Sequence, residues 1–246
     1  MSWVHKARNP GFWLPNRQPT RGVRVKPSRL QLGQGFMCLQ GAPHQIAPGA
    51  NDVNIVSTVQ AVATEIGNGL VFSGSGNVWA KEGAQPPASF TMEALIKVGA
   101  VQAEPICGYV DNGNPGTTDR ELYLNADGTA TFYVYDFVAI SAKLATSTQT
   151  VTAGGIYHLI GRSDGSNLYL NFGDRLDAAT ACGFGYNAYS NAQFNIGYQV
   201  RGGTGSGTSV LPTSTVIYSL VWYGAMTDDE TLERYLRPFD FLIPLG

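Results

Sequence analysis

Charge is scarce in this chain: 14% of its 246 residues are Asp, Glu, Lys or Arg, against roughly a quarter in ordinary soluble domains. Solvent-facing helices need a charged face, so the shortage, together with 30 glycines, favours strands and turns over exposed helices. Cysteine is nearly absent. Cys38, Cys107 and Cys182 are odd in number, widely spaced and free of any C-x-x-C pair, which excludes a disulfide framework and a zinc knuckle and reads as buried thiols in a reducing compartment. No apolar run approaches the roughly 18 residues that span a bilayer, and Met1 to Pro15 lacks the apolar stretch of a secretory signal. His5, His44 and His158 are dispersed, and there is no G-x-S-x-G elbow or phosphate-cradling glycine loop. No cofactor is expected and no triad is indicated.

Acid is missing altogether from residues 1–51, which hold Lys6, Arg8, Arg17, Arg21, Arg24, Lys26 and Arg29. The rest of the chain sets nine basic residues against all 18 acidic ones, a net charge of −9. Prolines 10, 15, 19, 27, 43 and 48 interrupt every period in this first part. Residues 1–50 therefore read as a basic, extended arm, and 51–246 as one sandwich domain, a size that a single all-β domain can reach. The arm also carries Trp3, Phe12, Trp13 and Leu14. Trp3, Arg8, Phe12, Trp13, Arg17, Arg21 and Arg24 are the expected anchors to an acidic partner, which could be a second copy, another protein or nucleic acid. A solvated tail is the competing reading.

Beyond the arm, short apolar runs alternate between turn signals. Phe90, Met92, Ala94 and Ile96 share one face of a strand, with Thr91, Glu93 and Lys97 on the other. Asp127-Gly128 between Leu122-Leu124 and Thr129 to Tyr135 marks a hairpin, as does Asp164-Gly165 before Leu168, Leu170 and Phe172. Residues 193–198 and 215–223 are further strands around a Gly/Ser/Thr-rich stretch, 201–209. One helix is signposted: Thr227-Asp228-Asp229-Glu230 has the form of a capping box, and Pro238 stops it. The pattern predicts an all-β, two-sheet antiparallel sandwich with one short C-terminal helix.

Five segments in order give this region a family likeness. Gly69 to Val78, Ser89 to Lys97, Gly155 to Gly173, Phe194 to Gly197 and Val216 to Glu230 together resemble the laminin-G/concanavalin A-like jelly-roll superfamily, with Leu95 where that family often has tryptophan. The resemblance implies a jelly roll, and the fold hosts lectins, glycanases and structural modules alike. The ending, Ala225 to Phe241, is similar to the tail of laminin-G-like proteins of tailed bacteriophages and prophages. That second resemblance implies a non-enzymatic virion component, a decoration, fibre-like or tail accessory subunit. Such a protein would be made in the host cytoplasm without a signal peptide and bound to other virion proteins through its arm; the low charge and plentiful aromatics of the chain point to a homo-oligomer.

Glycoside hydrolysis needs two carboxylates flanking the scissile bond. The E-x-D-x-x-E cluster that the superfamily's hydrolases carry is absent: Glu93 stands alone on its strand and Glu121 is followed by Leu122-Tyr123-Leu124. Acids brought from separate loops leave a glycanase as the third reading. The second is a carbohydrate-binding receptor module. Phe184 to Asn191 combines aromatic platforms with amides, making Tyr186, Asn187, Tyr189 and Asn191 the candidate ligand residues for a host surface glycan, and Tyr133 and Tyr135 share a strand face with the same composition. Asp111, Asn112, Asn114 and Asp119 offer oxygen ligands for calcium at short spacing. An ordinary Asx-rich turn explains the same residues.

Overall fold

The computed structural model describes residues 23–25, 30–39, 42–47, 54–56, 59–72, 77–81, 87–111, 117–136, 141–182, 192–197 and 213–244. In chain order the strands are β1 (Val23–Val25), β2 (Gln31–Leu39), β3 (Ala42–Gln45), β4 (Asn54–Val56), β5 (Val59–Thr64), β6 (Gly67–Phe72), β7 (Asn77–Lys81), β8 (Ser89–Lys97) and β9 (Glu104–Asp111). They continue with β10 (Thr117–Leu124), β11 (Thr129–Asp136), β12 (Ser141–Thr150), β13 (Ile156–Asp164), β14 (Asn167–Phe172), β15 (Arg175–Ala181), β16 (Ala192–Ile196) and β17 (Thr215–Tyr223). Helix α1 (Asp228–Leu236) and β18 (Leu242–Pro244) close the series.

Two antiparallel sheets face each other, as the alternation predicts. One has seven strands in the order β12-β11-β10-β9-β16-β7-β4. The other has nine, β15-β14-β13-β8-β17-β2-β3 with the β5-β6 hairpin attached to β17. Between them lies the main core, in which Phe90, Met92, Ala94 and Ile96 of β8 meet Phe132 and Val134 of β11 and Leu122 and Leu124 of β10. The local turns behave as their residues require: Gly128 and Gly165 sit at φ +84° and +94°, a region closed to most side chains. At the first of these, Gly128 N–H donates to the Asn125 carbonyl.

The expected arm is shorter than 50 residues. Residues 31–39 and 42–45 are strands of the nine-stranded sheet, β2 lying between β17 and β3. The physical reason is burial: Leu32, Phe36, Met37 and Cys38 are all buried, and Pro43 is accommodated because β3 ends the sheet order. Arg24, one expected anchor, belongs to β1, whose backbone pairs with β18. The anchors Trp3, Arg8, Phe12, Trp13, Arg17 and Arg21 lie outside the described residues.

A second core covers the outer face of the nine-stranded sheet. Leu95, Tyr218, Leu220 and Trp222 point away from the first core and pack under Tyr235 of α1 and the following Phe239 and Phe241. The capping box forms as read: Thr227 accepts from the Glu230 N–H, and the Glu230 carboxylate accepts from the Thr227 N–H. The helix therefore starts where its residues dictate and lands on a sheet buried on both sides.

Candidate functional site

The outer face of the seven-stranded sheet has no such helix among the described residues. On β11, Phe132 and Val134 enter the core, so Thr131, Tyr133 and Tyr135 project outward. Tyr133 and Tyr135 are half-buried and stand two residues apart, about 6.6 Å along the strand. Register places Tyr133 between Glu121 of β10 and Leu144 of β12, and Tyr135 opposite Ala142. Leu144 is 43% exposed, which extends the tyrosine strip to the sheet's edge. Glu121 and Tyr123 share this face and are buried. On the far side of Glu121 lies Gly108, where a Cβ would come within 2.6 Å of the Arg120 carbonyl oxygen, so the two strands approach too closely there for a side chain. The next strand contributes Asn195, paired with Gly108. The face thus offers two aromatic planes and an apolar margin over a buried carboxylate, Glu121, and a buried amide, Asn195.

Strand ends show where the sequence candidates belong. β7 and β9 finish, and β10 and β16 begin, at the same end of this sheet, because Lys81 pairs with Gln193 and Asp111 with both Thr117 and Ala192. The calcium candidates Asp111 and Asp119 are backbone members of β9 and β10. Asn112 and Asn114 lie outside the described residues, as do Tyr186, Asn187, Tyr189 and Asn191, whose segment leads directly into Ala192. The topology therefore brings the attachment points of both candidate segments together, next to the end toward which Tyr135 lies. No group of three or more His, Cys, Asp or Glu able to hold a metal is formed among the described residues.

Sequence reasoning missed the charged cluster on the other sheet. Glu93, on the outer face of β8, takes both Arg234 Nη2 and, at 3.2 Å, Arg234 Nε from α1. His158 Nε2 lies 3.7 Å from Glu93 and 3.1 Å from the Tyr218 hydroxyl. The Arg234 guanidinium stacks 4.0 Å from the Phe241 ring centroid. Burial opposes ionisation of Glu93, but Arg234 and His158 outweigh it and bring the carboxyl down to about 2. Burial likewise pushes His158 down, Glu93 only partly offsetting it. A second clamp holds the start of the helix: Arg162 pairs with Asp228 and donates to the Met226 carbonyl at 2.7 Å. With Glu93, His158 and Tyr218 fully buried beneath α1, this cluster holds the helix on the sheet and does not face a ligand.

No family model and no curated protein matches this chain. Its likenesses are structural. The binding domain of Paraclostridial Mosquitocidal Protein 1 superposes with a TM-score of 0.68 at 9% identity, over 85% of this chain and 53% of that one. This chain has the β-sandwich fold of such binding domains. Domain 4 of an extracellular arabinanase from Geobacillus stearothermophilus, solved with arabinotriose, matches at TM-score 0.62 and 12% identity, over 85% of this chain and 100% of that domain. The botulinum neurotoxin serotype D binding domain matches at 0.61 and 10%, over 83% and 51%. The chain thus spans about half the length of the toxin binding domains and the whole of the arabinanase domain.

Proposed function

We propose that this chain is a carbohydrate-binding module whose ligand stacks on Tyr133 and Tyr135 and is hydrogen-bonded at the adjoining strand ends. The outward tyrosine pair beside the exposed Leu144 carries the reading. Two likenesses support it: the full-length match to an arabinanase domain solved with arabinotriose, and the match to a botulinum neurotoxin binding domain solved with SialylT. The segment with Tyr186, Asn187, Tyr189 and Asn191 lies outside the described residues and joins β16 at Ala192, beside Asp111. Catalysis has no part in this reading, because the tyrosine strip is accompanied by a single carboxylate among the described side chains rather than a pair.

Glycan-array screening followed by titration calorimetry tests it. Tyr133→Ala and Tyr135→Ala each weaken binding about ten-fold, the usual loss for an aromatic anchor, and Tyr186→Ala weakens it less. Binding unchanged in both strand variants moves the site elsewhere, and a blank array removes the reading.

Attachment to a bacteriophage particle is a second proposal, favoured by the wholly acid-free first 51 residues. It expects a chain beginning at Val23 to fold and yet to be lost from particles. Undiminished incorporation would rule out anchoring by that segment.

A further inference from the structure

Every sheet edge presents unpaired backbone donors and acceptors, and folded proteins guard such edges with charge, proline, bulges or shortness. Most edges here carry a guard. β3 contains Pro43 and β4 has three residues. β12 and β15 contain Lys143, Arg175 and Asp177 and close on each other, Asp177 accepting from Thr148 Oγ1 at 2.9 Å and Thr180 Oγ1 donating to the Leu144 carbonyl at 2.6 Å. β5 differs from all of these.

Its sequence, Val59-Gln60-Ala61-Val62-Ala63-Thr64, has no charge and no proline. Its register with β6 runs unbroken from Val59 opposite Phe72 to Thr64 opposite Gly67. Among the described residues no strand pairs with its other side, and Gln60, Ala61 and Ala63 are exposed. The hairpin is also anchored to both cores. Ile66 at the hairpin turn is buried in the second core, Val59 packs against the first, and Lys97 Nζ holds Glu65 at 2.8 Å.

We infer that β5 is a homodimer seam, two copies pairing β5 with β5 antiparallel across a two-fold axis so that their nine-stranded sheets become continuous. The strand suits its own copy. A two-fold perpendicular to the sheet must set each residue against one on the same face. Centred on Val62, it puts Gln60 opposite Thr64, Ala61 opposite Ala63 and Val62 opposite itself, an amide against a hydroxyl and small apolar groups against their like, with no charge facing charge. An edge-to-edge seam buries little area, which places the dimer among weak, concentration-dependent complexes.

Sedimentation velocity on the full chain from about 1 µM to about 500 µM tests this across the weak-affinity range. The wild type shifts from monomer to dimer as concentration rises. Ala61→Lys with Ala63→Lys, at exposed positions, sets lysine against lysine twice and weakens association at least ten-fold, while circular dichroism stays that of the wild type. Val62→Cys oxidises to a covalent dimer faster than Leu232→Cys, an exposed control on α1. A wild type that stays monomeric throughout overturns the seam. So does a dimer that survives both lysines, or crosslinking no faster at residue 62 than at 232. None of these outcomes depends on glycan binding.

Discussion

Glu93→Gln lowers unfolding stability by about 3–5 kcal/mol, the cost of leaving a buried guanidinium without its counter-charge. Equilibrium denaturation in urea reads this as a lower midpoint at unchanged slope. Glu93→Leu combined with Arg234→Met recovers most of the loss, because an apolar pair of similar volume has no ion to desolvate. A Glu93→Gln effect below about 0.5 kcal/mol, the scale of an ordinary surface change, would show that the pair does not hold α1 down. Acid supplies an independent reading. The Glu93 carboxyl falls from 4.5 in the unfolded chain to about 2 in the folded one, so its contribution is complete above 4.5 and disappears as pH drops towards 2. His158 is depressed from 6.5, so the folded state binds its proton less readily and stability starts to decline as pH falls below 6.5. The wild-type and Glu93→Gln curves should therefore converge as pH is lowered from 4.5 to about 2.

Phe132→Ala costs about 3–5 kcal/mol as a cavity in the main core. Phe132 is fully buried, edge-on to Phe90 at 5.8 Å between ring centroids. Its ring lies over Gly161 of β13, where a Cβ would come within 2.4 Å of it. Gly161→Ala consequently loses about 1–3 kcal/mol by overpacking. Adding Phe132→Leu to Gly161→Ala restores part of that loss, a coupling that a double-mutant cycle detects. Strictly additive effects would mean that the two positions do not share their space.

Where information is local, the sequence is easily read. The Asp-Gly hairpins, the Thr227 capping box and the faces of β8 and β11 follow from neighbouring residues, and the order of elements that resembles a laminin-G-like jelly roll agrees with the sandwich observed. β2 was hidden because its glycines look like turn punctuation. Gly33 is glycine because a Cβ there would come within 2.3 Å of the Tyr223 ring, and Gly35 because one would come within 2.8 Å of Ile46. Both are close-approach positions inside a strand, and only the neighbouring strand reveals it. The Glu93 to Arg234 pair spans 141 residues and leaves no local trace. At the candidate site, alternation shows that Tyr133 and Tyr135 share a strand face, but not that this face points away from the core. The presence of Glu121, Leu144 and Asn195 beside them depends on strand register, which short-range pattern does not encode.

The second core has a consequence for biosynthesis. Its lid, Met226 to Phe241, follows every strand of the wall it covers in chain order. Every strand of both sheets is therefore synthesised before the segment that covers Leu95, Leu220 and Trp222. Chaperone demand and proteolytic loss should concentrate in that interval, when an apolar wall awaits its cover.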